Sequence, residues 1–384
     1  MEKSSRIYLD NAATSWPKPE SVYVEIEEYL RNNGSALGRT TGTFADEIVG
    51  EISRLREDVK KLIHSKTASV LFAFNGTDAL NLAIQGTVSQ GDHVVTTMAE
   101  HNSVLRPLKA LEKKNKVQVT RIPCDSKGRV TAEEVLQQVN SRTRLVAITH
   151  CSNVTGAENP ICEIGRQLQG SESLFLVDAA QTLGSATVQF DQFGVDLLAS
   201  PGHKGLLGPL GTGILAVSSK AQASLHPIRQ GGTGASSESD DHPQNFPEAY
   251  EAGNHNVPGL IGLKAGLKFV AEVGVEAIAK HKLELARNLQ SKISELKNVE
   301  VVGDESTCKS GIVSFNLSLP PNEVATILDS TFGIQCRAGY HCASLIHPYI
   351  GTENGCVRIS FGYFNTREQS DLVADAITEI SKAI

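Results

Sequence analysis

Two rhythms of apolar residues alternate along the chain between about residues 45 and 290. In ADEIVGEISRLREDVKKLIH (45–64) apolar positions recur every three or four residues, the spacing of one helix face. SVLFAF (69–74) is a short unbroken apolar run, expected of a strand, and DALNLAIQGTV (78–88) of the helix it feeds. DHVVTT (92–97), KVQVTRI (116–122), RLVAITH (144–150), LFLVDAA (174–180) and GILAVS (213–218) are further strand candidates rich in branched residues. Strands alternating with helices predict a mostly parallel sheet covered by helices, an α/β fold. Ligands of such sheets bind in the loops after the carboxyl ends of the strands.

The rhythm stops at QGGTGASSESDDHPQNFPEAYEAGNHNVPG (230–259), a polar stretch expected to be a long functional loop. Helical patterns follow at 260–274 and near 275–296. The tail holds strand candidates VEVVG (299–303), GIVSFNL (311–317) and CVRISF (356–361), with helices near 321–332 and 366–383. This order predicts a second, smaller α+β domain.

Composition narrows the function. A chain of 384 residues usually divides into two domains. A formal charge of −7 argues against a general nucleic-acid surface. No apolar run reaches the roughly 18–20 residues that span a bilayer. The start, MEKSSRIYLDNAATS, has no apolar core of a signal peptide, so a cytoplasmic protein is expected. Seven cysteines (124, 151, 162, 308, 336, 342 and 356) lack both disulfide-scaffold density and a CxxC metal pair, so no metal site is expected.

SPGHKGLLGPLGTG (200–213) sets one lysine, Lys204, among five glycines. A nucleotide P-loop needs its lysine after the glycines, and GPLGTG is not a dinucleotide fingerprint. A Schiff-base lysine fits better, although a surface lysine in a glycine turn has the same local sequence. In NGTDALNLA (75–83) a strand ends and a helix begins at Gly76-Thr77, a turn suited to a phosphate or to ordinary capping by Thr77 or Asp78. Asp178 closes an apolar strand, where a carboxylate needs a partner such as a protonated pyridine nitrogen, or serves as a cap. His101 follows strand 92–97, where it is placed either to stack on a ring or to serve structure. Asn153 follows strand 144–150, to donate to a ring oxygen or to shape a turn. In CRAGYHCASL (336–345), Cys342 is polar-flanked, and His341 or Arg337 could lower its thiol pKa. Cys151, Cys308 and Cys356 sit in or beside apolar segments and are expected to be buried. Arg358 alternates with apolar residues on a strand, suited to a bidentate grip on a carboxylate or to a structural ion pair.

The series of motifs resembles the class V aminotransferases, specifically the cysteine desulfurase and selenocysteine lyase family of pyridoxal 5′-phosphate (PLP) enzymes of fold type I. YLDNAATS (8–15), EHNS (100–103), SNVTG (152–156), DAAQ (178–181), GHKG (202–205), EAGN (251–254), RAGYHC (337–342) and RISFGYFNT (358–366) follow the family's order nearly end to end. The RAGxHC segment is closer to the Suf-type branch than to the Isc-type branch.

The resemblance implies a mostly parallel seven-stranded sheet with helices on both faces. It implies a large PLP-binding domain over 16–255 and a small domain formed by 1–15 and 256–384. By position, Lys204 forms the Schiff base with PLP, His101 stacks on its ring and Asp178 pairs with its nitrogen. Gln181 and Asn153 lie near the 3-hydroxyl and the substrate, and Gly76, Thr77 and His203 hold the phosphate. Arg358 grips the carboxylate of L-cysteine, or of L-selenocysteine in a lyase, and Cys342 accepts the sulfur. A homodimer and a sulfur-acceptor protein are further implications. Pro201, Asn254 and Tyr340 depart from the usual serine, threonine and histidine; Asn254 would reach the neighbouring subunit's phosphate.

Overall fold

The computed structural model describes residues 6–38, 42–115, 117–234, 238–303 and 310–384; Cys308 lies outside them. A seven-stranded sheet carries the larger core. Its strands run in the order Ser69–Ala73, Gly213–Val217, Leu197–Pro201, Leu174–Asp178, Thr143–Thr149, His93–Thr97 and Gln118–Ile122. Gly213–Val217 runs antiparallel to both of its neighbours, and the remaining pairs are parallel. Helices cover both faces, so the central strands are buried on both sides and read as unbroken apolar runs. Phe175 and Val177 enter one core with Ile48, Ile52 and Leu55 of the helix Thr43–Leu62. Leu174 and Leu176, of opposite parity, enter the other with Leu80 and Leu82 of the helix Gly76–Thr87.

The strand Leu197–Pro201 was not anticipated. Its sequence, LLASP, is short and ends in Ser-Pro, a turn signature. All five residues are buried, and the tertiary context overrides the local signal.

A second, antiparallel sheet runs Arg337–Gly339, Cys356–Ser360, Ile312–Asn316, Glu300–Val301. Helices Val275–Ile293, Pro321–Phe332 and Arg367–Ala383 share its core through Leu289, Leu328 and Ile377. The chain start joins this core: Ile7–Tyr8 pairs in parallel with Ile334–Gln335, and Leu9 is buried beside Ile359. The stretch from Ala223 to the helix Val257–Val273 contains no helix or strand among its described residues, as expected of the long loop.

Polar ties join the two sheets where the site forms. Ser314 Oγ donates to the Val154 carbonyl at 2.6 Å. Arg358 donates to the Asn153 carbonyl at 2.9 Å.

Candidate active site

A cavity of about 520 Å³ opens at the carboxyl ends of the central strands. Gly76, Thr77, His101, Asn153, Asp178, Gln181, His203, Lys204 and Arg358 all line it. Chain topology explains the convergence: four neighbouring parallel strands end here, and each passes its next residues into the rim.

The glycines around Lys204 have a steric cause. A Cβ on Gly205 would lie 2.3 Å from the Leu183 carbonyl, and one on Gly184 (φ +85°) 2.3 Å from the Gly205 carbonyl. Two backbones touch there, and only glycine permits it. The contact fixes the loop that presents Lys204.

Burial lowers the Lys204 ammonium to about 8; Asp178 opposes this shift, and Arg358 and Arg337 add to it. About a tenth of this amine is therefore unprotonated at about pH 7, far more than of a surface lysine, as a nucleophile and proton carrier requires. Asp178 is buried at the strand end, and burial raises its carboxyl above the usual range, with the Ala180 N–H and Lys204 opposing. Its Oδ1 accepts from Ala180 N at 2.9 Å. A cation placed against this carboxylate would relieve its desolvation.

His101 is held by a short polar chain. Ser103 N donates to its Nδ1 at 3.0 Å, so the neutral ring carries its proton on Nε2. Ser103 Oγ lies 2.8 Å from that Nδ1 and 2.7 Å from Thr77 Oγ1. Burial, then the charge of Lys204, lowers the His101 pKa to about 4, so the ring stays neutral. Ser103 thus links the stacking candidate to the phosphate turn. It lies within the quoted EHNS motif but was assigned no role there.

The turn itself corrects one expectation. Neither Thr77 nor Asp78 caps the helix; Asn75 Oδ1 accepts from Asp78 N at 2.9 Å. A Cβ on Gly76 would meet Pro201 at 3.0 Å, so the turn packs directly on the strand before Lys204. Pro201, found where serine is usual, therefore serves as a packing surface at this turn.

Among the described residues, three buried nitrogens around the cavity have no hydrogen-bond partner: His203 Nδ1, His341 Nδ1 and Arg358 Nε. Buried polar atoms left without a partner are costly unless a ligand completes them. The His203 pKa falls to about 4, through burial and then the charges of Lys204 and Lys18.

Arg358 is 1% exposed and already paired. It donates to Asp10 Oδ1 at 2.6 Å as well as to the Asn153 carbonyl. The structural ion pair is the reading the structure shows: one terminal nitrogen is on Asp10, the other on the Asn153 carbonyl, and Nε is left open. Asn153 departs from expectation. Its Nδ2 donates to the His341 carbonyl at 2.6 Å, so it ties down the cysteine loop instead of offering that hydrogen to a ring oxygen. Gln181 Nε2 donates to the Ala12 carbonyl at 3.0 Å.

Cys342 is half-buried and stands beside the cavity, not in its lining. Arg337, which does line it, donates to Cys342 Sγ at 3.1 Å. Of the two neighbours, arginine is the one that touches the thiol: His341 Nε2 faces the Cys356 carbonyl at 2.9 Å. Burial lowers the His341 pKa strongly, with Arg358 adding to it, so that ring carries no charge. His341 (φ +47°) and Cys342 (φ +60°) are consecutive left-handed residues. Such backbone costs of order 1–3 kcal/mol per residue and persists only where contacts enforce it. Asn153, and Asn102 N donating to the Cys342 carbonyl at 2.7 Å, supply those contacts. Burial pushes the Cys124 and Cys356 thiols up to about 11 and that of Cys336 to about 12. Cys151 and Cys356 are buried, as expected.

Asn254 is not brought to the cavity. It is exposed and lines a separate small pocket with Phe74, Arg229 and Glu251. Tyr340 is also exposed, with its hydroxyl on the Glu353 carbonyl at 3.1 Å. Asp10 went unrecognised as the partner of Arg358; its signal lay in YLDNAATS, 348 residues earlier in the chain.

Comparison with known proteins settles the family. The family model described as Aminotransferase class-V matches residues 7–373. The chain belongs to the class-V aminotransferases. Within them, a probable cysteine desulfurase from Methanothermobacter thermautotrophicus is 35% identical over 98% of this chain and 94% of its own. Another from Halalkalibacterium halodurans is 32% identical over 97% and 93%. An apo cysteine desulfurase structure from Thermococcus onnurineus NA1 superposes with TM-score 0.91 at 31% identity, covering 99% of this chain and 95% of that one. The class-V fold accounts for both sheets and for the cavity between them.

Proposed function

We propose that the protein is a PLP-dependent cysteine desulfurase, converting L-cysteine to L-alanine and leaving the sulfur on Cys342 as a persulfide. The observation that carries this reading is one cavity that combines a low-pKa lysine, a strand-end aspartate and an arginine-held thiol at its edge.

The residues fit the cofactor. The Gly76–Thr77 helix start and the orphaned His203 Nδ1 suit a phosphate. Asp178 suits a protonated ring nitrogen, and neutral His101 suits stacking on the ring face. PLP, when bound, supplies an electron sink that loosens the bonds around the substrate's Cα. Lys204, released by the substrate, takes and returns the proton at Cα. Arg358 offers Nε to the substrate carboxylate, its other nitrogens holding it on Asp10 and Asn153. The Cys342 thiolate, kept beside Arg337, attacks the substrate sulfur. The Cβ–S bond breaks, an S–S bond forms on Cys342, and the hydrogen of the substrate thiol ends on Cβ. Alanine leaves, and an acceptor protein takes the persulfide sulfur.

The same reading places the protein in the cytoplasm as a homodimer, with Asn254 turned toward the partner's phosphate. It is tested by the visible spectrum of the purified protein before and after L-cysteine, with alanine assayed in the same tube. A cofactor band that shifts while alanine appears supports it. A band without alanine moves the assignment to another amino acid, and no band after adding PLP refutes it.

A further inference from the structure

The segment Thr14–Lys18 approaches the lysine loop from the chain's other end and spends an unusual number of donors on two carbonyls. His203 O accepts from Ser15 N at 3.0 Å, Ser15 Oγ at 3.0 Å, Thr14 Oγ1 at 3.2 Å and Lys18 Nζ at 2.9 Å. Lys18 Nζ also donates to Ser15 Oγ at 2.7 Å, and Ser15 Oγ reaches Lys204 O at 2.9 Å. An ammonium whose hydrogen enters Ser15 Oγ directs that hydroxyl's own hydrogen outward, onto one of the two carbonyls. Among the described residues Lys18 has no carboxylate partner. Its charge is balanced by the carbonyl dipoles of the peptide that carries the reactive lysine.

We propose that Lys18, acting through Ser15, is a positioning residue that fixes the His203–Lys204 backbone and so aims the Lys204 amine into the cavity. The geometry favours this over a surface role. Lys18 is half-buried, and desolvation lowers its ammonium to about 8. A buried ammonium without a carboxylate persists where its hydrogen bonds are satisfied. Those bonds end on the His203 carbonyl and on Ser15 Oγ, which reaches the Lys204 carbonyl, and charge-assisted bonds are about twice as strong as neutral ones. Gly205 and Gly184 also hold the loop, by backbone contact. The lysine is thus clamped between a steric stop and an electrostatic one.

The proposal rests on the reading of Lys204 as the catalytic amine, and the test separates the two. Lys18→Met, Lys18→Arg and Ser15→Ala are compared with the wild type. Hydrogen exchange of apoprotein peptides covering 200–210 reports the clamp without cofactor or substrate. Lys18→Met and Ser15→Ala are expected to raise exchange there about tenfold or more, and Lys18→Arg to keep it near wild type. In the holoenzyme, Lys18→Met is expected to lower kcat about 10–100-fold at a nearly unchanged KM for L-cysteine, since displacing a reacting group by about 1 Å has that effect. Lys18→Arg is expected to recover most of it. Unchanged exchange in both Lys18→Met and Ser15→Ala overturns the clamp. Raised exchange with kcat unchanged overturns its role in aiming the amine. Should Lys18→Met fail to fold, Ser15→Ala decides alone, because it removes the hydroxyl and keeps the ammonium. A wild type that makes no alanine would sink the desulfurase reading and leave the exchange result standing.

Discussion

Replacing Glu100 by glutamine should abolish a large pH dependence of stability. Glu100 has no accessible surface. Its Oε1 accepts from Thr97 Oγ1 at 2.7 Å and Thr149 N at 2.9 Å, and Oε2 has no partner. Burial raises its carboxyl from 4.5 to about 8, the two hydrogen bonds oppose the shift, and nearby Asp178 adds to it. At neutral pH the folded protein keeps this proton and the unfolded chain releases it. The stability supplied by this linkage is therefore fully present below about pH 4.5 and is lost as pH rises to about 8. Each pH unit in that window removes about 1.4 kcal/mol, so about 3 kcal/mol disappears between about pH 5 and 7.5. Glutamine keeps an acceptor for Thr97 and Thr149 and has no proton to exchange. Urea unfolding of the apoprotein across this range should show wild-type stability falling relative to Glu100→Gln by that amount. Parallel curves would refute the burial argument. The point bears on function: Glu100 is already neutral at working pH beside Asp178, so Glu100→Gln should retain most desulfurase activity.

Arg358→Lys keeps a charge but cannot hold Asp10 and Asn153 while also offering a third nitrogen; KM for L-cysteine should rise about 10–100-fold, checked by alanine formation. Arg337→Met should slow alkylation of Cys342 by iodoacetamide at neutral pH, read by peptide mass spectrometry, and leave Cys124 and Cys356 as unreactive as before. In the apoprotein, labelling of Lys204 by an amine reagent should reach half its maximal rate near pH 8, where surface lysines remain largely protonated.

The parallel sheet was legible because strands buried on both faces leave unbroken apolar runs, and LFLVDAA shows this best. Leu197–Pro201 escaped because a strand of five ending in Ser-Pro carries a turn's signature. The site residues were legible as motifs at strand ends, a consequence of α/β topology. Their partners were not: Asp10 meets Arg358 across 348 residues, and Lys18 meets His203 across 185. Asn153 was found, but its hold on the His341 carbonyl was not, because carbonyls leave no trace in a pattern of side chains. The glycines after Lys204 announced a close approach, but only the structure shows that Leu183 and Gly184 are what approaches.

The central claim is that sulfur leaves L-cysteine for Cys342. Peptide mass spectrometry of the PLP-loaded protein, quenched after brief exposure to L-cysteine without an acceptor, tests it directly. The account predicts one added sulfur on the peptide containing Cys342, and none in Cys342→Ala. Alanine released at the wild-type rate by Cys342→Ala, or added sulfur on Cys151 with Cys342 unmodified, would contradict it.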